Sequence, residues 1–400
     1  MGNHSMSDKN LLAGVRILDF SRYIAGPYCA ALLGYLGADI TRVEKPGGSE
    51  DRPVVPIGGD GGAVFAQSAG NKKSLTMDLG HASAPEIIRR LVVLADVVIV
   101  NHPPTGVRKL GLDYDTLKAI KPDIILTTQT AYGHQGPWKE RGGFDGIGQV
   151  MSGAAYFSGS PDKPVKTAAP YVDFGTALYS AFGTLAALYQ RRDTGRGQHV
   201  QASLLGTALS FFSPMLIEQK AIGANRVPSG NRSQTSSPSD IFVTSDGHIL
   251  LHVVGNGIFK RLSAAVGRED WIDDPRLQSD EGRGGKRDEI CNYLAQWCSK
   301  RDSNTVLEKM AAAGVPCGPV LDPQSALEHP QVEAMEFFRK ISMSGISDGV
   351  AVADFPVSMS DADTGLRSGA PEKGEHTEAV LLEVGYSIDE ISELRRAGAI

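Results

Sequence analysis

The chain has 400 residues, more than a single hydrophobic core ordinarily serves, so two domains or one large domain with an insertion are expected. Hydrophobic residues make up 41% and charged residues 22%, ordinary for a globular protein, and 40 basic against 46 acidic residues give a net charge of −6 with no long basic run, which argues against a nucleic-acid partner. The first ten residues are polar, the longest apolar stretch (91–100) is broken by Asp96, and Cys29, Cys291, Cys298 and Cys317 form no CxxC pair, so a soluble, cytoplasmic protein without membrane contact is expected.

Residues 15–20 read as a buried strand, 21–26 as a loop, 27–37 as a helix with Pro27 in its first turn, and 39–45 as a second strand. A helix over 84–94, a strand over 97–100, a helix over 114–120 and a strand over 124–127 continue the alternation. This predicts an α/β fold with a parallel, Rossmann-like sheet. Ligands of such sheets bind beyond the carboxyl ends of the strands, here the loops 21–26, 45–48, 101–106 and 129–136. A long helix begins near Asp173 and ends at Gly195, and residues 225–238, rich in Ser, Asn and Pro, read as a linker. Two short strands around Asp246-Gly247 and helices at 258–266, 287–299 and 303–313 then predict a smaller α+β domain. Past Pro330 the chain reads as loop until helices at 377–382 and 388–397.

In Pro170-Tyr171-Val172-Asp173-Phe174-Gly175 a loop becomes a helix. Phe174, Leu178, Ala181, Phe182, Leu185, Leu188 and Tyr189 then recur at three- and four-residue spacing, predicting one buried face. Asp173 therefore stands at or beside a helix N-terminus, where free N–H groups and the helix dipole favour its anion. Its ordinary role would be an N-cap; its chemical role would be a carboxylate nucleophile with a lowered pKa. Local sequence leaves both open.

The loop Ser21-Arg22-Tyr23-Ile24-Ala25-Gly26-Pro27 lacks the GxGxxG dinucleotide fingerprint, although Glu44 stands where such folds place a ribose-binding acid. Gly70-Asn71-Lys72-Lys73-Ser74 is only superficially similar to a phosphate loop, since it lacks the adjacent Gly-Lys and the spacing. There is no GxSxG elbow, no HExxH and no tight metal-ligand cluster, so the nine histidines read as surface or packing residues and no metal is expected. Lys45, Lys72, Lys73, Lys109 and Arg141 lie near the ligand loops and could neutralise phosphates, while each taken singly reads as a solvated surface charge.

Several blocks, taken in order, carry a wider resemblance: Ala25-Gly26-Pro27, Leu36-Gly37-Ala38-Asp39, Val43-Glu44-Lys45-Pro46, Asn71-Lys72-Lys73-Ser74-Leu75, Gly133-His134-Gln135-Gly136-Pro137, Thr194-Gly195-Arg196-Gly197-Gln198 and Gly314-Val315-Pro316. Over nearly its whole length the chain resembles the family III CoA-transferases, which include carnitine and bile-acid CoA-transferases. The resemblance implies a large Rossmann-like domain built from both chain ends, over 10–224 with a return segment at 326–400, a small domain over 225–325, and an interlocked homodimer. It implies that Asp173 forms an acyl anhydride and then an aspartyl-CoA thioester, with coenzyme A or acyl-CoA as substrate and no tightly bound cofactor. Ile24, Ala25, Lys45, Asn101, His102 and Lys109 would line CoA. Relatives often have Gln at the position of Ile24 and Phe at that of His102.

The same family contains α-methylacyl-CoA racemases, which pair the equivalent aspartate with the histidine of a Gly-His-Asp element. Here the matching residues are Gly143-Phe144-Asp145, and phenylalanine exchanges no proton. This favours the transferase; His134 keeps a racemase or epimerase open as an alternative. A third reading, a CoA-binding protein without catalysis, follows from the departures at Ile24 and His102. Formyl- and oxalyl-CoA-type enzymes carry a glycine-dense loop that Gly255-Asn256-Gly257 matches thinly, so larger or dicarboxylic acyl groups, succinyl among the donors, are expected by analogy.

Overall fold

A computed structural model describes residues 10–58 and 61–400. By contacts the chain divides into two compact units: one contains residues up to Ser152, Ala168–Pro214 and Met335–Ile400, the other Gly153–Thr167 and Met215–Ala334.

The first unit is built on six parallel strands, β1 (Arg16–Asp19), β2 (Asp39–Glu44), β3 (Lys72–Thr76), β4 (Val97–Val100), β5 (Ile125–Thr130) and β6 (His199–Ser203), in the order β3-β2-β1-β4-β5-β6. The Rossmann-like reading is thus correct. Lys72, Lys73 and Ser74, in the stretch without phosphate-loop spacing, belong to the edge strand β3. Side chains alternate across the sheet, as a strand's two-residue period requires. Ile17, Ile40, Val97, Ile99 and Ile125 enter one core; Leu18, Val43, Val98, Val100 and Leu126 enter the other. Both faces are covered, which explains the unbroken apolar run of β4. Each such side chain, fully buried, stabilises by about 1.5–3 kcal/mol.

Helix α1 (Ala25–Tyr35) covers the first core, and helices α2 (Ala84–Leu94) and α3 (Tyr114–Ile120) cover the second. The C-terminal helices Thr377–Glu383 and Ile388–Arg396 return to the second core through Val380, Leu381 and Ile391. A hairpin, Phe338–Met343 with Ile346–Ala353, lies in the stretch read as loop and adds Ile341, Met343 and Val352 to the first core.

Three more helices frame the site: α4 (Asp145–Met151), α5 (Tyr171–Thr194) and α6 (Leu204–Ile222). The buried face of α5 matches only in part the one its apolar spacing predicts: Ala181 and Leu188 are buried and Leu185 packs against the core, but the rest of the face is shifted. Gly175, Thr176, Ala177, Ser180, Ala181, Thr184 and Ala187 face inward, while Leu178, Phe182 and Tyr189 are 55%, 73% and 71% exposed. The reason is close packing. Ala177, Ala181 and Ala187 share a core with Ala30, Ala31 and Leu33 of α1, and a Cβ on Gly175 would meet the Phe211 ring at 2.4 Å.

The second unit has a three-stranded antiparallel sheet of Ser239–Val243, His248–His252 and Cys317–Pro319, the last strand unanticipated in the sequence. Its helices Asn256–Val266, Arg287–Cys298 and Ser303–Ala312 close a core around Phe259, Trp271, Leu294 and Trp297. Among the described residues no helix is long and apolar enough to cross a membrane.

Candidate active site

The loop leaving β1 is pinned from several sides. Asn101, just past β4, grips the Arg22 backbone with both ends of its amide: the Arg22 N–H donates to its Oδ1 at 2.8 Å, and its Nδ2 donates to the Arg22 carbonyl at 2.6 Å. Tyr23 has a φ of 66°, in the left-handed region, and its N–H donates to Asp51 Oδ2 at 2.9 Å. A Cβ on Gly26 would lie 2.2 Å from that of Ser21, so the Ala25-Gly26-Pro27 turn into α1 requires glycine.

Beneath this loop lies a buried ionic network. Arg42 reaches Asp51 at 2.6 Å, Arg52 reaches Glu44 at 2.6 Å, and Lys72 Nζ reaches Asp19 Oδ2 at 2.8 Å and the Pro27 carbonyl at 2.7 Å. Lys72 is therefore neither a surface charge nor a phosphate ligand, and Lys73 pairs with Asp39. Burial raises the Glu44 carboxyl, but hydrogen bonds from Arg52 and the charges of Arg42 and Arg52 outweigh it and hold the group at about 2.

Asp173 lies in the first turn of α5, whose N-cap position is Pro170. It does not cap its helix. Asp145, the first residue of α4, does so instead: its Oδ2 accepts from the Val172 N–H at 2.7 Å and the Asp173 N–H at 3.1 Å, and its other oxygen is held by Gln149. A Cβ on Gly148 would come 2.8 Å from Val172 Cγ1, so glycine lets α4 approach α5 this closely.

The expected lowering of the Asp173 pKa is overturned. Burial, followed by the neighbouring Asp145 carboxylate, pushes its carboxyl up to about 7, and a hydrogen bond from the Asp145 backbone draws it only part of the way back. Desolvation and a like charge outweigh the helix terminus here, because Asp145 already occupies the end of that helix. Asp173 is 8% exposed, and its exposure is to a cavity of about 460 Å³.

That cavity gathers the ends of several strands. Ile24 and Ala25 from the β1 loop, Asn101 and His102 from the β4 loop, and Gln129 and Thr130 from β5 line it with Asp173. Arg22, Glu50, Arg141 and Phe144 complete most of the wall. Lys45 and Lys109 are not part of this lining; Lys45 pairs at 3.0 Å with Glu50, which is. Phe144 packs edge-on against Tyr23, with ring centroids 5.2 Å apart. Sequence reasoning missed Asp145, Arg22 and Gln129 as wall or support residues. Asp145 acts on a helix 27 residues away, and no local pattern reports that.

His134 lies in a different cavity, of about 380 Å³, together with His199. Thr128 Oγ1 bonds both rings, at 3.1 Å and 2.8 Å. Burial, then the neighbouring His134, lowers His199 to about 4, and burial lowers His134, so both are neutral near pH 7. His102 borders both cavities with its Nε2 buried and unbonded. Among the described residues no cluster of three or more metal-ligating side chains occurs.

A buried carboxylate with an elevated pKa, on a cavity at the carboxyl edge of a parallel sheet, suits attack on an activated acyl group. Comparison with known proteins identifies the family of the chain. The pattern of CoA-transferase family III matches residues 12–377. The chain is 30% identical to a succinate–glutarate CoA-transferase of Agrobacterium fabrum, over 93% of this chain and 95% of that one. It is 30% identical to a succinyl-CoA:mesaconate CoA-transferase of Haloarcula hispanica, over 94% and 96%. A CAIB/BAIF family protein from Brucella suis superposes with a TM-score of 0.82 at 32% identity, covering 93% of this chain and 99% of that structure. The chain belongs to CoA-transferase family III and is a CoA-transferase, with CoA thioesters as substrates.

Proposed function

From membership of CoA-transferase family III, we propose that the enzyme moves CoA from an acyl-CoA to a carboxylic acid through covalent intermediates on Asp173. One Asp173 oxygen attacks the thioester carbonyl, the C–S bond breaks, and CoA leaves as thiolate from a mixed anhydride. The thiolate then attacks the Asp173 Cγ. The C–O bond to the donor acyl group breaks, releasing the donor acid and leaving an aspartyl-CoA thioester. The acceptor carboxylate repeats both steps in reverse. No net proton is consumed, so the chemistry needs no acid–base partner.

The observation that carries this reading is the Asp173 carboxyl itself: buried on the cavity wall and pushed up to about 7. It is ionised just above neutrality, yet poorly solvated and therefore basic enough to attack. Burial also keeps water from the anhydride and thioester. Ile24, Ala25, Asn101 and His102 share its cavity and suit the pantetheine arm; Lys45 and Lys109, outside the lining, suit the phosphates. Asp145 positions Asp173 and keeps it basic. The exposed Leu178, Phe182 and Tyr189 of α5 suit a homodimer, which light scattering of the purified protein tests. In an assay coupling acyl-CoA donors to an acid panel, Asp173→Ala is expected to lose transfer by about 10⁴-fold or more. Retention of transfer by that variant would remove Asp173 from the mechanism.

A second reading, proton exchange at the α-carbon of a 2-methylacyl-CoA, has one observation in favour. His102 lines the Asp173 cavity, and burial, then the Arg22 charge, lowers its pKa, so it is a neutral base there. Deuterium wash-in at the α-carbon without any acceptor acid would support it; no wash-in leaves the transferase reading.

A further inference from the structure

We propose that Arg22 and Gln129 form an oxyanion subsite in the Asp173 cavity that receives a second carboxylate on the acyl group. The enzyme's acids would then be dicarboxylic, and these two residues would determine that specificity. The inference rests on the transferase reading above.

Arg22 is 4% exposed and lines the cavity. Its Nη1 donates to the carbonyls of Phe20, Ser21 and Val43 at 3.2, 2.8 and 3.0 Å, which fixes the guanidinium. Among the described residues no carboxylate lies within ion-pair distance of it, and no hydrogen bond from its Nε or Nη2 is found. The nearby acids are engaged elsewhere: Asp51 with Arg42, Asp19 with Lys72, and Glu50 with Lys45. Burial, then the adjacent Arg42, acts against the Arg22 charge, while Asp51, Asp19 and Glu50, the last also on the cavity lining, act for it from a distance. None of these three carboxylates bonds the guanidinium, so its Nε and Nη2 are open to an anion from outside the chain.

Gln129 supplies a separate observation. It is 2% exposed on the same cavity, and neither Nε2 nor Oε1 has a hydrogen-bond partner. Buried amides are almost always paired, so a group of the substrate is the partner this side chain is built for. Arg141, stacked on Trp138 at 4.3 Å, adds a second cation to the lining.

Two oxyanions could come with the substrates: an acyl carboxylate or a phosphate of CoA. The phosphates lie at the far end of the pantetheine arm from the thioester. The cavity that holds the nucleophile must hold the acyl group, and its cations therefore face the acyl end.

The test compares kcat/KM for matched acceptors, butanedioate against butanoate and pentanedioate against pentanoate. The native enzyme is expected to prefer each diacid by about 100-fold or more. Arg22→Gln should bring that ratio within about tenfold and Gln129→Met should reduce it about tenfold, whereas Arg22→Lys, which keeps the charge, should retain most of it. A second arm compares acyl-CoA with the acyl-pantetheine thioester as donors, where Arg22→Gln should leave the ratio as in the native enzyme. Loss of the CoA preference with the diacid preference intact would assign Arg22 to a phosphate and overturn the acyl subsite. An absent diacid preference in the native enzyme would overturn it as well. If Arg22→Gln does not fold, Gln129→Met and binding of free diacids, read as a rise in Tm over monoacids, decide the same question. Normal formation of an Asp173 adduct with unchanged diacid ratios sinks the subsite alone. No adduct and no transfer with any acid sinks the transferase reading as well.

Discussion

Two sets of buried carboxylates in the same unit have opposite fates. Asp19 and Glu44 lie under the β1 loop against Lys72, Arg42 and Arg52, and despite burial their carboxyls are held below the usual range, Glu44 at about 2. Asp173 is comparably buried, but its charged neighbour is another acid, and it is pushed up to about 7. Burial is common to both; pairing separates them. A paired acid holds a loop in place, whereas an unpaired one is destabilised as an anion, and the proposed mechanism draws the reactivity of Asp173 from that.

The widest break in this contrast comes from removing a cation. Lys72→Met would leave Asp19 buried and unpaired and is expected to destabilise the protein by about 3–5 kcal/mol, read as a lower midpoint in urea. A loss below about 1 kcal/mol would mean that the network is incidental to the loop.

The pH dependence of stability sharpens the contrast, because the two sets have opposite signs. Asp173 has a folded pKa above its unfolded value, so its contribution is fully present below about pH 4 and is lost as pH rises through about 7. Glu44 has a depressed folded pKa, so its contribution is present above about pH 4.5 and is lost as pH falls towards about 2. Asp173→Asn removes the first slope and is expected to gain stability over the native protein between pH 4 and 8, by on the order of 2–4 kcal/mol. Parallel stability curves for the two proteins would show that Asp173 is not perturbed.

The smallest effect is expected at Asp145. Asp145→Asn removes the like charge next to Asp173, so the acid limb of the transfer rate should move to lower pH. It also weakens the acceptor for two helix N–H groups, costing about 1 kcal/mol. An unmoved pH profile would leave Asp145 as a cap and nothing more.

Much of the fold was legible because parallel strands buried on both faces, such as Val97–Val100, read as short apolar runs between amphipathic helices. The inner face of α5 was legible only in part, at Ala181 and Leu188. Bulk and spacing single out Leu178, Phe182 and Tyr189, but helices that pack closely bury alanine, threonine and glycine. Strand Lys72–Thr76 was hidden by its charges, since a lysine paired with Asp19 across the sheet looks in sequence like a surface residue. At the site, the resemblance pointed to Asp173, Ile24, Ala25, Asn101 and His102, and these stand on one cavity wall. Asp145 had no local signature because it bonds helix N–H groups 27 and 28 residues away, and Gln129 had none because a missing hydrogen-bond partner shows only in the fold.

The central claim is that Asp173 carries the transferred group. Incubating the protein with an acyl-CoA in the absence of acceptor, followed by mass analysis of peptides, should find CoA as a thioester on Asp173, or a hydroxamate there after hydroxylamine, and neither in Asp173→Asn. An unmodified Asp173 peptide in a preparation that still transfers CoA would contradict the account.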